Sequence, residues 1–196
     1  MSIFENIHSN FLLPFSELGE KKFENGRTVE YGYAPEIAEQ AYMVELFSTL
    51  TNSELTDLEA KLNSNIPSQY RDFLSNGSNG LILFYGYFSL YGYVKKNDRS
   101  KDAVPQPFPL DIPNIYERPA NSKKNYFFIG GYRYDGSQLY IDTSTGKVHY
   151  CKMQDATSLY CWNSFDEMLE SEIPRIISLF DKHGRIVGSK SKTLPV

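Results

Sequence analysis

Three histidines, two cysteines and one glycine-bearing loop are the places where this 196-residue chain offers chemistry. His8, His149 and His183 fall in an N-terminal segment, an expected strand and an expected helix end. None stands four residues from another His or Cys. A zinc site needs several nitrogen or sulfur ligands together, so no metal is expected. His183 near a helix C-terminus is explained by the helix dipole. His149 is expected to face away from the core side of its hairpin. Cys151 lies two residues from His149. Side chains two apart on a strand share a face but stand roughly 6–7 Å apart. That exceeds hydrogen-bond reach, and a thiolate nucleophile needs a base to take its proton. Cys151 and Cys161 are read as buried thiols, since two cysteines do not make a disulfide framework. Carboxylates are scattered, and no spacing pairs two of them for acid–base work. No catalytic residue and no cofactor is therefore assigned.

The loop Gly130-Gly131-Tyr132-Arg133-Tyr134-Asp135-Gly136 is the most distinctive segment. It lacks the Gly-x-x-x-x-Gly-Lys-Ser/Thr spacing that cradles phosphates between a strand and a helix. It reads either as a long hairpin loop or as a recognition loop, because Tyr and Arg are favoured interface residues. The partner-contact candidates there are Tyr132, Arg133, Tyr134 and Asp135. A second set, Tyr85, Tyr87, Tyr91 and Tyr93, recurs at every second or fourth position. Along one strand these would share a face, as a half-buried aromatic ladder or as a binding surface.

The elements that must position these residues follow from pattern. Lys22-Phe23-Glu24 and Arg27–Tyr31 flank Asn25-Gly26, a dipeptide that favours tight hairpin turns. After Pro35, the apolar residues Ile37, Ala41, Val44 and Phe47 fall at helical spacing and predict an amphipathic helix over 36–50. Thr51-Asn52-Ser53 caps a second helix bearing Leu55, Leu58 and Leu62. Pro67 opens a third, with Tyr70, Phe73 and Leu74 inward. Strands fit Leu81–Val94, with Gly86 and Gly92 at bends or close approaches. Residues 95–125 carry five prolines and read as a long loop with one turn near Ile112–Tyr116. Tyr126–Ile129, Gln138–Asp142 and Lys147–Cys151 are three further strands. Ser164-Phe165-Asp166-Glu167 is a capping box opening a helix that Pro174 should kink or split. Residues 185–196 are expected to be a loose tail.

Composition bounds the class. Fifteen Tyr and thirteen Phe are many for this length, which suits strand-rich structure or a recognition surface. A net charge of −4 and the lack of a basic run exclude general nucleic-acid affinity. No apolar stretch reaches the length of a membrane span or reads as a leader, so a cytoplasmic protein is expected.

One ordered string of residues resembles the SUKH superfamily. It runs Glu54-Leu55, Leu58-Glu59 and Leu62, then Ile66-Pro67, Tyr70, Phe73-Leu74 and Asn79-Gly80. Leu90-Tyr91-Gly92, Phe128-Ile129-Gly130, Asp135-Gly136, Leu139–Asp142, Gly146-Lys147-Val148 with Tyr150, and Ser164–Leu169 continue it. The match spans roughly residues 52–180. It implies an α+β fold: a mixed, largely antiparallel sheet with helices packed around it. It divides the chain into an N-terminal extension over 1–50, a SUKH-like domain over 51–184 and the tail. It implies a non-catalytic immunity protein, encoded beside a polymorphic toxin, often a nuclease, that binds and blocks that toxin. Eukaryotic relatives imply the alternative of a scaffold or regulatory interaction module. An enzyme or small-ligand binder would instead require a deep pocket with convergent polar groups. Arg133, Asp135 and the Tyr85–Tyr93 face would then be the first suspects.

Overall fold

The computed structural model describes residues 2–23, 28–95 and 104–196. Among the described residues, nine strands form one sheet in chain order, each antiparallel to the next. They are β1 (Glu20–Phe23), β2 (Thr28–Tyr33), β3 (Tyr42–Leu46), β4 (Leu81–Leu83), β5 (Phe88–Leu90), β6 (Tyr126–Gly131), β7 (Gln138–Asp142), β8 (Lys147–Lys152) and β9 (Asp155–Trp162). The helices are α1 (Ile3–Ile7), α2 (Asn52–Leu62), α3 (Ser68–Asp72) and α4 (Phe165–Ile177). The fold is α+β, as expected.

Strand alternation gives the sheet two different faces. Val44 of β3, Leu83 of β4 and Leu139 of β7 belong to one continuous core with Leu58 of α2, Tyr70 of α3 and Ile173 of α4. On the opposite face, register places Glu30, Glu45, Ile82, Ser89, Gly131, Gln138 and Cys151 in one row across seven strands. Directly opposed residues share a face. This second face carries a smaller cluster of Phe128, Tyr140, Cys151 and Ala156. A bulge between Phe128 and Gly130 keeps the row in phase, because the extra residue restores the alternation of β6.

Local chemistry explains the helix ends. Thr51 accepts from the Glu54 amide while Glu54 accepts from the Thr51 amide, and Asn63 closes α2 in the left-handed region at φ 48°. At α4, Ser164 accepts from the Glu167 amide, but the Glu167 carboxylate reaches Asn163, one residue earlier than expected. α4 runs through Pro174 instead of splitting. The carbonyl that loses its partner is that of Glu170, which is exposed and can turn to water.

Three expectations are corrected. Residues 36–50 form no helix: a turn over 35–40, closed by the Ala34 amide on the Ala41 carbonyl, leads into β3. The tail is not loose: residues 190–193 make a 3-10 turn, Thr193 is fully buried, and Arg175 holds the Lys192 and Thr193 carbonyls. Cys151 is buried but Cys161 is exposed, on the edge strand β9. The hairpin of β1 and β2 forms, with its Asn25-Gly26 tip outside the described residues.

Candidate functional site

The Asn79-Gly80 and Leu90-Tyr91-Gly92 motifs meet in space. The Asn79 amide side chain accepts from the Tyr93 amide at 2.7 Å and donates to its carbonyl at 2.9 Å, acting as a one-residue strand. A Cβ on Gly92 would lie 2.3 Å from the Asn79 carbonyl oxygen, so only glycine fits. Fully buried Tyr70 donates its hydroxyl to the Tyr91 and Ile129 carbonyls. These residues hold β4, β5 and β6 together under the site.

The four tyrosines do not form one ladder. Phe84 and Tyr85 take φ of 45° and 63°, left-handed values that are uncommon for aromatic residues, and the chain turns there. Gly86 follows at φ 94°. Tyr85 and Tyr91 line one cavity, and Tyr85 also borders a second with Tyr87. Tyr87 leans on Phe180, and Tyr93 serves through its backbone. Burial pushes the Tyr85 and Tyr91 phenols up to about 12, with Asp181 and Glu117 respectively adding to the effect. Both remain neutral at physiological pH.

Tyr132 is corrected as a contact residue. β6 ends at Gly131, and Tyr132 still pairs, its amide donating to the Ser137 carbonyl. Its ring is therefore in the core, 2% exposed, and its hydroxyl donates to Glu172 at 2.7 Å. Glu172 is itself buried and held in a two-point pair by Arg175. Arg133, Tyr134 and Asp135 are the exposed tip. Arg133 is anchored, its guanidinium on the Tyr85 carbonyl at 2.9 Å and its amide on the Gly86 carbonyl. Asp135 accepts from the Ser137 amide. The tip is thus a short, fixed projection rather than a long loop.

Beside it lies a cavity of about 500 Å³ on the second face of the sheet. Ser89, Gly131 and Gln138 border it from the strands, and Phe108, Ile112 and Pro113 from the segment that crosses above. That segment is pinned by Asn114, which donates to the Leu110 and Phe128 carbonyls and accepts from the Phe128 amide. Ser89, Gln138 and the 108–113 stretch were missed from sequence. Polar Ser89 between Phe88 and Leu90 was the one available signal. Elsewhere, burial pushes the Cys151 thiol up to about 12, and His149 bonds Ser158 at 2.8 Å while stacking on Tyr140. His149 thus packs on the smaller cluster. Among the described residues no three His, Cys, Asp or Glu side chains gather to hold a metal. No helix among them is long and apolar enough to cross a membrane.

An antiparallel α+β sheet with one helical face, locked by Tyr70 and by the meeting of Asn79 with Gly92, defines a protein of SUKH type. The model of the SMI1 / KNR4 family (SUKH-1) matches residues 49–171, and the chain belongs to that family. A search of curated proteins finds no match.

Proposed function

We propose that this protein is a non-catalytic immunity protein that binds a cognate toxin domain in the cytoplasm and blocks it. Family membership over residues 49–171 is the observation that carries the reading. The tip of Arg133, Tyr134 and Asp135 supports it, because Arg133 and Asp135 are already held by hydrogen bonds and lose little freedom on binding, while Tyr134 is an exposed aromatic side chain beside them. A net charge of −4 gives modest steering toward a basic partner.

The test is capture of the toxin domain encoded beside the gene, with rescue of cells expressing it. Binding with rescue is expected. Tyr134→Ala and Arg133→Ala should each weaken the complex about tenfold or more and leave the melting temperature almost unchanged. A folded protein that neither binds nor rescues moves the reading to a scaffold module with another partner. A large melting shift in Tyr134→Ala would remove the tip from the interface.

A further inference from the structure

A groove of about 660 Å³ runs along the other side of the Arg133–Tyr134 tip, and its charge is opposite to that of the whole molecule. The chain carries a net charge of −4. Yet the charged side chains bordering this groove are Arg133, Arg185 and Lys190, and among the described residues no carboxylate borders it. Glu36, Asp181 and Asp135 stand next in sequence to lining residues, and each is already engaged. Glu36 pairs with Arg185 and lies 3.3 Å from His183. Asp181 accepts from the His183 and Arg185 amides, and Asp135 from the Ser137 amide. Among the described residues, Arg133 and Lys190 make no ion pair. The bond from the Arg133 guanidinium to the Tyr85 carbonyl fixes that cation at the rim. Its other N–H donors remain without a partner among the described residues.

The wall between the cations is apolar and fixed. Phe180 stacks on Phe84 with ring centroids 3.9 Å apart, and the Tyr87 ring leans on Phe180 at 5.4 Å. Ile186 bridges back to Phe180. Ile37 and Tyr134, 42% and 46% exposed, leave the mouth open. This wall depends on the left-handed backbone of Phe84 and Tyr85. Strain of that kind clusters where a protein clamps a ligand or partner. Rim cations over an aromatic wall match a segment in which carboxylates flank apolar side chains. The carboxylates form charge-assisted bonds with the cations, and the apolar side chains cover the rings. A small anion alone would leave the wall unused.

We propose that this groove docks an acidic segment of a protein partner, with carboxylates on Arg133 and Lys190 and an apolar side chain against Phe180. The inference rests on the partner-binding reading of the tip and deepens it by naming the charge of what lies beside the tip.

Three capped peptides serve as probes: Glu-Phe-Glu-Phe-Glu, the same with Gln for Glu, and the same with Lys for Glu. Each is titrated into the full chain and followed by amide chemical shifts. Saturable shifts at Tyr87, Tyr134, Gly184 and Ile186 are expected. The acidic peptide should bind about three- to tenfold tighter than the Gln peptide, and the Lys peptide weakest. About 1 M salt should remove the difference between the first two. Lys190 is exposed and lies outside the tip, so Lys190→Glu should weaken the acidic peptide about threefold or more and leave the Gln peptide unchanged. The comparison of peptides in the unaltered protein stands without that variant. No saturable shift, or equal affinity for the acidic and Gln peptides, overturns the proposal. Shifts at the same residues that grow with protein concentration alone also overturn it, by assigning the groove to a second copy of the chain. Peptide binding without toxin capture or rescue strikes the immunity reading alone. Capture and rescue without peptide binding strike the acidic groove alone.

Discussion

Glu30 and Glu45 stand directly opposite each other on β2 and β3, a pairing that like charges disfavour. Burial first, and Glu30 second, push the Glu45 carboxyl up to about 7. Burial raises Glu30 as well, against the pull of Lys21, which faces it from β1. The sign of the pH effect follows. Between the ordinary value of 4.5 and about 7, the folded chain holds a proton on Glu45 that the unfolded chain has released. Stability is fully present below that window and falls as pH rises through it, by up to about 1.4 kcal/mol per pH unit. Denaturant melts of Glu45→Gln should therefore show a flatter decline than the unaltered protein between about pH 5 and about pH 7.5. Parallel declines would mean that Glu45 is not the group responsible. The sequence showed carboxylates everywhere but not this pair, because Glu45 was placed on an expected helix. Tyr132 teaches the same lesson: its exposure depended on whether β6 stopped before or after Gly131.

At the scale of elements, α2, α3, α4 and the central strands were legible because their patterns are strong, whereas the short α1 was not. α2 announced itself through Thr51 and three leucines, and α4 through Ser164 and its apolar stripe. Residues 36–50 misled because Ile37, Ala41, Val44 and Phe47 also fit a helical period. Val44 and Leu46 fit a strand equally, and pairing with both β2 and β4 decides for the strand. β9 was missed since only Ala156 and Trp162 of its residues are buried, as befits an edge. The segment crossing the cavity gave only the turn near Ile112–Tyr116, which forms; the rest is held by backbone bonds of Phe108 and Leu110 with Gly92 and by Asn114 on Phe128 of β6. Asn114→Ala removes two bonds to Phe128 of β6 and one to the Leu110 carbonyl. It should cost about 1–3 kcal/mol of stability and speed hydrogen exchange across residues 106–117. Unchanged exchange there would show that the prolines and Phe108 hold the segment without Asn114.

For the whole molecule, the family match begins at residue 49, yet three strands precede it in the same sheet. β3 pairs Val44, Glu45 and Leu46 with Leu83, Ile82 and Leu81 of β4. α1 adds Phe4, which meets Phe73 edge to face at 5.0 Å, and Ile7, 1% exposed. A chain starting at Phe47 would thus uncover the full length of β4, whose three residues are apolar and buried. It would also uncover the Phe73 side of the core. An exposed, apolar strand edge is a template for pairing with another chain. Such a truncated protein should be insoluble or self-associated in light scattering, while the full chain is not driven to associate by that edge. A folded, monomeric truncated chain would show instead that residues 2–46 are an accessory layer, separable from the matched region. The two outcomes bear differently on function. If the first strands are integral, the cavity and the tip beside β5 and β6 are positioned by the entire sheet. Changes on β2 and β3 should then reach the site through β4 without touching it.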